Sequence, residues 1–311
     1  MDHDTKMLDV LPVKGSVQRH MRWVVDAWKK NGGSVHRNLR VPQFLRKVMG
    51  QVACRNLGAR WNRLLVLSGG KMDTAAWPFC CFNEIVPVLW DVWPYCVDSL
   101  VRFVKRNRVK LLFVTASRQV ERLRGLLPDV RVEWLPEAID VASYPDGDSL
   151  AGRKYDVIEY GRRKKSVHDD LLAHKFARLF NHLYSKERIM FPKFEDMTTA
   201  IRSSKISICY PQCDTAPERA GDVETLTQRY WEAMASGTLV AGRAPQELID
   251  LCGYNPVITL GERPAEQIEQ VLNEIDQGKW QDLADRNRAF VEQHADWSVR
   301  IKEMKRALEE T

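Results

Sequence analysis

The chain has 311 residues, 44% of them hydrophobic and 28% charged, which is enough to bury a sizeable core and suggests two domains. No apolar run reaches the roughly 18 residues of a membrane-spanning helix, and the opening MDHDTKMLDVLPVKG lacks the apolar stretch of a secretory signal, so a cytoplasmic protein is expected. The net charge of +6 is uneven: residues 1–147 carry 23 Lys and Arg against 14 Asp and Glu, the remainder 24 against 27, so the basic half would meet an anionic membrane surface, an acidic acceptor or nucleic acid, or present a solvated arginine-rich surface.

MLDVLPV at 7–13 reads as a short buried strand. After it, Val17, Met21, Val24, Val25 and Trp28 recur at helical steps, and Gly32 and Gly33 end the helix. A strand is expected near 34–39 and a helix over about 42–57. RLLVLSGG at 63–70 and EIVPVLWDVWP at 84–94 read as strands, and YCVDSLVRFVKRN at 95–107 as an amphipathic helix. KLLFVTAS is the next strand, RQVERLRGLL the next helix, and VRVEWLPEAID at 130–140 closes the set. Residues 141–154, with Pro, Gly and Asp and little periodicity, read as a linker. The alternation restarts with YDVIEYG (strand), SVHDDLLAHKFARLFNHLY (helix, 166–184), RIMF (strand, 188–191), FEDMTTAIRSS (helix) and ISICYP (strand). The polar loop QCDTAPERAGDVE leads to a helix, the strand LVAG, the short helix PQELIDLCG, the strand PVITL and a mostly helical end. Alternating strands and helices predict α/β architecture: two doubly wound, Rossmann-like domains facing a cleft, with ligands beyond the carboxyl ends of the strands.

The seven cysteines have no C-x-x-C spacing, which favours buried thiols and gives no metal site. Chemistry concentrates in ETLTQRYWEAMASG at 224–237. Thr225 and Gln228 match a capping box, predicting a helix over about Leu226–Ser236 with Gly237 past its end. Its amino-terminal amides and dipole would hold anionic groups, phosphates among them. Glu232, two turns along and sharing a face with Arg229, would accept both ribose hydroxyls of a nucleotide; the same spacing also fits an ordinary surface Arg–Glu pair.

The segment resembles the E-x7-E signature of GT-B fold glycosyltransferases, especially glycosyltransferase family 4 and its relatives (the group 1 superfamily). KGSVQRHMRWVVDAWKKNGG is similar to that family's first turn and helix, with Gly15-Ser16 where the family usually has Gly-Gly. YDVIEYGRRKK is similar to the opening of its donor domain, WLPEAID to the close of its amino-terminal domain, and HADWSVRIKEMKRAL to its final helix. The resemblance covers most of the chain. Thr225, Leu226 and Thr227 replace the family's glycine-bearing loop, and the cations after the GR turn fall at Arg162–Lys165 rather than about six residues apart. The resemblance implies an acceptor-side domain at 1–147, a nucleotide-sugar donor domain at 148–290, and a helix at 291–311 that packs back on the first.

It further implies retaining, metal-independent transfer of a hexose-type sugar from a nucleotide-diphosphate sugar, with no cofactor, to an acceptor hydroxyl on a polysaccharide, glycolipid or other glycoconjugate. The protein would be cytoplasmic, with peripheral contact at the inner membrane face open. Arg162 and Lys165, with Arg163 in reserve, would neutralise the leaving diphosphate. The turn at Gly15 and Ser16, the tip at Thr225, Leu226 and Thr227, and Arg229 and Glu232 would bind the nucleotide. Glu224 would hold donor-sugar hydroxyls, with Glu218 as fallback. Asp91 would orient the acceptor or cap the helix after it; His20 and His168 are weaker candidates. The base is expected near FPKF at 191–194. Trp77, Trp90, Trp93 and Trp134 offer stacking surfaces for sugars, although core packing explains most of them. Rival readings are a sugar-nucleotide epimerase of the same fold, a nucleic-acid glycosyltransferase or binder, and a non-catalytic sugar-binding relative. A nicotinamide dehydrogenase is disfavoured because VKGSVQRH has a single glycine.

Overall fold

The computed structural model describes residues 5–10, 17–38, 61–70, 72, 79–185 and 190–310. The expected helix over 42–57, the turn at Gly15 and Ser16, and Trp77 lie outside them. The chain divides into two compact units, Met1–Pro136 with Trp297–Thr311, and Glu137–Asp296.

The first unit is built on six parallel strands: β1 (Thr5–Leu8), β2 (Ser34–His36), β3 (Trp61–Gly69), β4 (Phe82–Trp90), β5 (Leu111–Val114) and β6 (Arg131–Trp134), in the order β2-β1-β3-β4-β5-β6. β5, LLFV, is buried at every position, as a central parallel strand covered on both faces must be. Helices α1 (Val17–Lys30), α2 (Val97–Asn107) and α3 (Ser117–Leu126) precede the last helix of the chain. On α2, Leu100, Phe103 and Val104 are buried at helical spacing, and the chain leaves the helix through Arg108 in the left-handed region.

The second unit has five parallel strands: β7 (Tyr155–Glu159), β8 (His182–Tyr184), β9 (Ser204–Cys209), β10 (Leu239–Gly242) and β11 (Val257–Thr259). Their order, β11-β10-β9-β7-β8, reverses direction between β7 and β9. That reversal is the topological switch point, where the loops leaving two adjacent strands diverge to opposite faces and open room for a ligand. The helices are α4 (Lys165–Ala173), α5 (Phe194–Arg202), α6 (Gln212–Thr215), α7 (Pro217–Ala220), α8 (Gln228–Ala235), α9 (Gln246–Cys252), α10 (Pro264–Asp276) and α11 (Gln281–His294). The chain then returns to the first unit as α12 (Trp297–Glu309), where Trp297 packs against Trp90 at 5.8 Å and Arg131 reaches Glu310.

One expected helix ends early. The apolar spacing of Phe176, Leu179, Phe180 and Leu183 reads as helical, yet α4 stops at Ala173 and β8 forms at 182–184. Tertiary contacts override the periodicity: Glu269 on α10 takes His174 Nε2 at 2.9 Å and the Ala177 amide, Phe176 stacks on Phe180, and Asp156 on β7 accepts the Asn181 amide at 2.8 Å. Leu179 is left exposed. The strand expected at RIMF falls partly outside the described residues, and its described part, Met190 and Phe191, is not strand.

Candidate functional site at the switch point of the second unit

β7 ends at Glu159, and the chain turns through Tyr160 and Gly161 into the basic run Arg162–Lys165. Gly161 has φ of +74°, a conformation glycine adopts without strain, and a Cβ there would sit 3.4 Å from Arg229 Cδ. Arg229, on α8 and buried, explains the turn. Its Nη1 donates to the carbonyls of Tyr160 (3.2 Å) and Arg162 (2.7 Å), and its Nη2 to that of Tyr210 (3.3 Å), just past β9. One guanidinium thus fastens both loops that leave the switch point. Five N–H donors in a planar fork suit this task better than an ammonium.

The basic run divides accordingly. Arg162 is exposed. Arg163 turns aside, donating to the Ser185 carbonyl and, at 3.2 Å, to His168 Nε2, with its guanidinium over the Tyr184 ring. Lys164 lies over the Tyr210 ring, 5.6 Å from its centre. Lys165 opens α4 and pairs with Asp169 one turn on, its side chain 86% exposed, so this pair contributes little.

The capping box is not formed, which corrects the expected start of α8. The cap is Thr227, without a side-chain hydrogen bond, and the helix begins at Gln228. Thr225 is drawn away by Glu247 on α9: Glu247 Oε1 accepts the Thr225 hydroxyl at 3.1 Å and also the Leu226 amide. The Thr225 hydroxyl, expected to accept from the Gln228 amide, instead donates to a carboxylate from another element, which takes two donors at once with full charge. The amides of Gln228 and Arg229 have no acceptor within the helix by position, and the Thr227 hydroxyl is buried without a partner. Glu224 pairs with Arg243, just past β10, and its Oε2 accepts the first amide of α9, Gln246, at 2.9 Å. Asp214 also binds Arg243, at 2.6 Å, and the two carboxylates hold that guanidinium firmly charged. Glu218 is exposed on α7.

Glu232 is 4% exposed. Its Oε1 accepts from the Tyr144 hydroxyl at 2.9 Å and its Oε2 from the Tyr160 hydroxyl at 3.1 Å. Burial and the adjacent carboxylate push the Tyr160 hydroxyl well above its ordinary pKa, so it stays a donor. Phe194, in FPKF, meets Tyr144 edge-on at 5.5 Å. Phe194, Tyr144, Glu232 and Tyr160 therefore form one continuous layer beside the switch point. Tyr144, Tyr160, Arg243 and Glu247 were not singled out in the sequence; Tyr160, between a strand end and a glycine turn, is the one whose position signals a site.

Solved structures resemble this chain throughout its length. Anabaena HepE in complex with UDP matches with a TM-score of 0.62 at 12% identity, over 99% of this chain and 100% of that one. Sucrose-phosphate synthase from Thermosynechococcus elongatus gives 0.61 at 10% identity, covering 98% of each chain. The DNA-modifying enzyme β-glucosyltransferase, crystallised with and without uridine diphosphoglucose, gives 0.59 at 12% identity over 98% of this chain and 99% of that one. The chain has the GT-B fold. No protein-family model matches the sequence and no curated protein matches it.

Other residues of this GT-B chain that the sequence pointed to fall as follows. Asp91 stands exposed at the carboxyl end of β4 with φ of 53°. It is not a helix cap: Trp93 and Cys96 occupy those positions in the segments that follow. Trp90 and Trp93 are buried, and Trp134 is half-buried against the apolar core of the first unit, so these three serve the interior. His20 meets Trp23 edge-on, and its Nδ1 is buried without a partner. His168 belongs to a cluster with Glu159 and His182 that the spacing in sequence does not reveal. The described cysteines are free thiols, Cys96 and Cys209 buried.

Proposed function

We propose that this protein transfers a sugar from a nucleotide-diphosphate sugar to an acceptor hydroxyl, with retention of configuration and with no divalent metal in the transfer step. The observation that carries the reading is the switch-point turn, in which Gly161 and buried Arg229 hold the Tyr160–Arg162 backbone at the start of the basic run. Pre-set donors stabilise charge that develops on a leaving diphosphate without reorganising during the reaction. Arg162, Lys165 and the amides that open α8 take the phosphates. The base lies against Phe194, and Glu232 accepts the ribose hydroxyls. Glu224, oriented by Arg243, accepts donor-sugar hydroxyls. Retention rests on the family resemblance alone.

Three similar GT-B structures support a uridine nucleotide as the donor part: HepE was solved with UDP and with UDP-glucose, and the DNA-modifying enzyme with uridine diphosphoglucose. The acceptor is anionic in this reading, because the excess of positive charge lies in the amino-terminal half. Calorimetric titration with UDP, and release of UDP from UDP-sugars in EDTA, test the proposal. Arg162→Ala is expected to lower turnover about 100-fold while changing UDP affinity much less. Equal turnover in the variant, or no binding of any nucleoside diphosphate by the wild type, would overturn it.

A further inference from the structure

Glu159 ends β7, His182 begins β8 and His168 lies one turn into α4, so three strand and helix termini converge on one point. Glu159 Oε2 lies 2.5 Å from His168 Nδ1 and 3.0 Å from His182 Nε2, and one ligand atom from each residue lies within 4.8 Å of the others. The side chains are 1%, 15% and 6% exposed for Glu159, His168 and His182. Such burial demands that each polar atom be satisfied. Yet Glu159 Oε1 and both ring nitrogens of His182 have no hydrogen-bond partner, the close His182–Glu159 approach being misaligned for one.

We propose that Glu159, His168 and His182 bind a zinc-like divalent cation. Two imidazoles and one carboxylate are a donor set zinc favours, with ligand atoms about 2.0–2.2 Å from the metal and hence about 3.3 Å from each other. The present separations, 2.5 to 4.8 Å, need to change by about 0.3 to 1.5 Å to reach that arrangement. The ion resolves two misfits together, neutralising a buried carboxylate and giving His182 Nε2 a partner, and it also cross-links β7, β8 and α4. The fourth position is left to water or a ligand.

The site also bears on Arg163. A guanidinium only donates, so its contact with His168 Nε2 makes that nitrogen the acceptor and puts the His168 proton on Nδ1, pointing at Glu159. A metal on Nδ1 requires the other tautomer, with the proton on Nε2, which faces Arg163 donor to donor. Metal loading therefore releases Arg163 from His168, and metal and Arg163 compete for one tautomer.

The inference stands whether or not the chain transfers sugars, since its test uses metal alone. EDTA-treated protein is titrated with zinc chloride by calorimetry and with cobalt chloride by visible absorption. The wild type is expected to bind one equivalent and to give the intense bands of tetrahedral cobalt. Glu159→Gln and His182→Gln each weaken zinc binding at least about 100-fold, while His174→Gln, at a separate His–Glu pair, leaves it unchanged. Arg163→Gln tightens binding about two- to tenfold. Absence of the cobalt bands in the wild type, or equal zinc affinity in a folded Glu159→Gln protein, overturns the site. Unchanged affinity in Arg163→Gln overturns the Nδ1 assignment.

Discussion

The two units solve the same packing problem differently. Both bury a parallel sheet, but among the described residues the first unit buries a single charged side chain, Arg300 on α12, while the second buries charge at both edges of its sheet. At the amino edge, Arg153 donates to the carbonyls of Asp148, Ser204 and Ser236 and to the Thr238 hydroxyl, at 2.8–3.1 Å. Burial lowers its pKa only to about 10, so it stays charged. Beside it, Asp156 on β7 pairs with Lys205 on β9 at 2.8 Å, both nearly sealed from water. At the carboxyl edge stand Arg229, Glu232 and Glu159. An apolar interior tolerates sliding; a charged one leaves each partner a single low-energy position, because a displaced buried charge loses its compensation at once. The second unit uses its interior to hold loops still, and the described basic residues of the first, Arg300 apart, lie outside its interior.

Breaking a buried pair in the second unit should therefore have the largest effect. Lys205→Met leaves Asp156 with the Asn181 amide and with Arg178 at 3.6 Å, and is expected to cost about 4 kcal/mol. The matched change in the first unit, Arg63→Met, removes a less sealed pair to Glu84 at 3.0 Å, 14% and 12% exposed, together with a bond to the Leu308 carbonyl, and should cost about 2 kcal/mol. Urea unfolding of both variants measures the contrast, and equal losses would end the distinction between the two interiors.

In the first unit, His20 is a titratable group held against its preference. Burial, and then the nearby Arg19, lower the His20 pKa from 6.5 to about 4. The folded state therefore binds the proton more weakly than the unfolded chain. The stability tied to neutral His20 is fully present above about 6.5 and is lost as pH falls toward about 4, a change of about 3 kcal/mol. His20→Asn should flatten that part of the stability–pH curve. A variant whose curve matches the wild type would show that His20 is wetter than its surroundings indicate.

The contrast also explains how far the sequence could be read. Apolar runs such as LLFV and ISIC declare buried parallel strands, and α2 declares itself by its spacing, because one element's own residues settle each case. What escaped depends on partners from elsewhere. Glu247 lies 22 positions from Thr225, yet undoes a capping box that is sound on local grounds. Glu159 and His182 are brought together only by the pairing of β7 with β8, which places Glu159 opposite Tyr184. β8 itself lies within a stretch whose period is helical. Arg229 and Glu232 were legible as a pair on one face, but not that Arg229 would tie down two loops or that Glu232 would turn toward Tyr144 and Tyr160. Charged residues buried by long-range contacts are the part a local pattern hides, and the second unit is rich in them.

The smallest effect is expected where the first unit does depart from relaxed geometry. Asp91 sits in the left-handed region at the end of β4, and Gly70 at the end of β3 comes so close that a Cβ there would be 2.1 Å from the Asp91 carbonyl. Aspartate tolerates this conformation better than most residues but still pays about 1 kcal/mol that glycine does not. Asp91→Gly should therefore stabilise the protein by up to about 1 kcal/mol, less whatever the unfolded chain gains in freedom. If Asp91 orients the acceptor hydroxyl, the variant should lose transfer while donor binding is unchanged, and UDP release to water should become the larger share of turnover. Higher stability with transfer intact would reduce Asp91 to a turn residue and leave orientation of the acceptor to other groups.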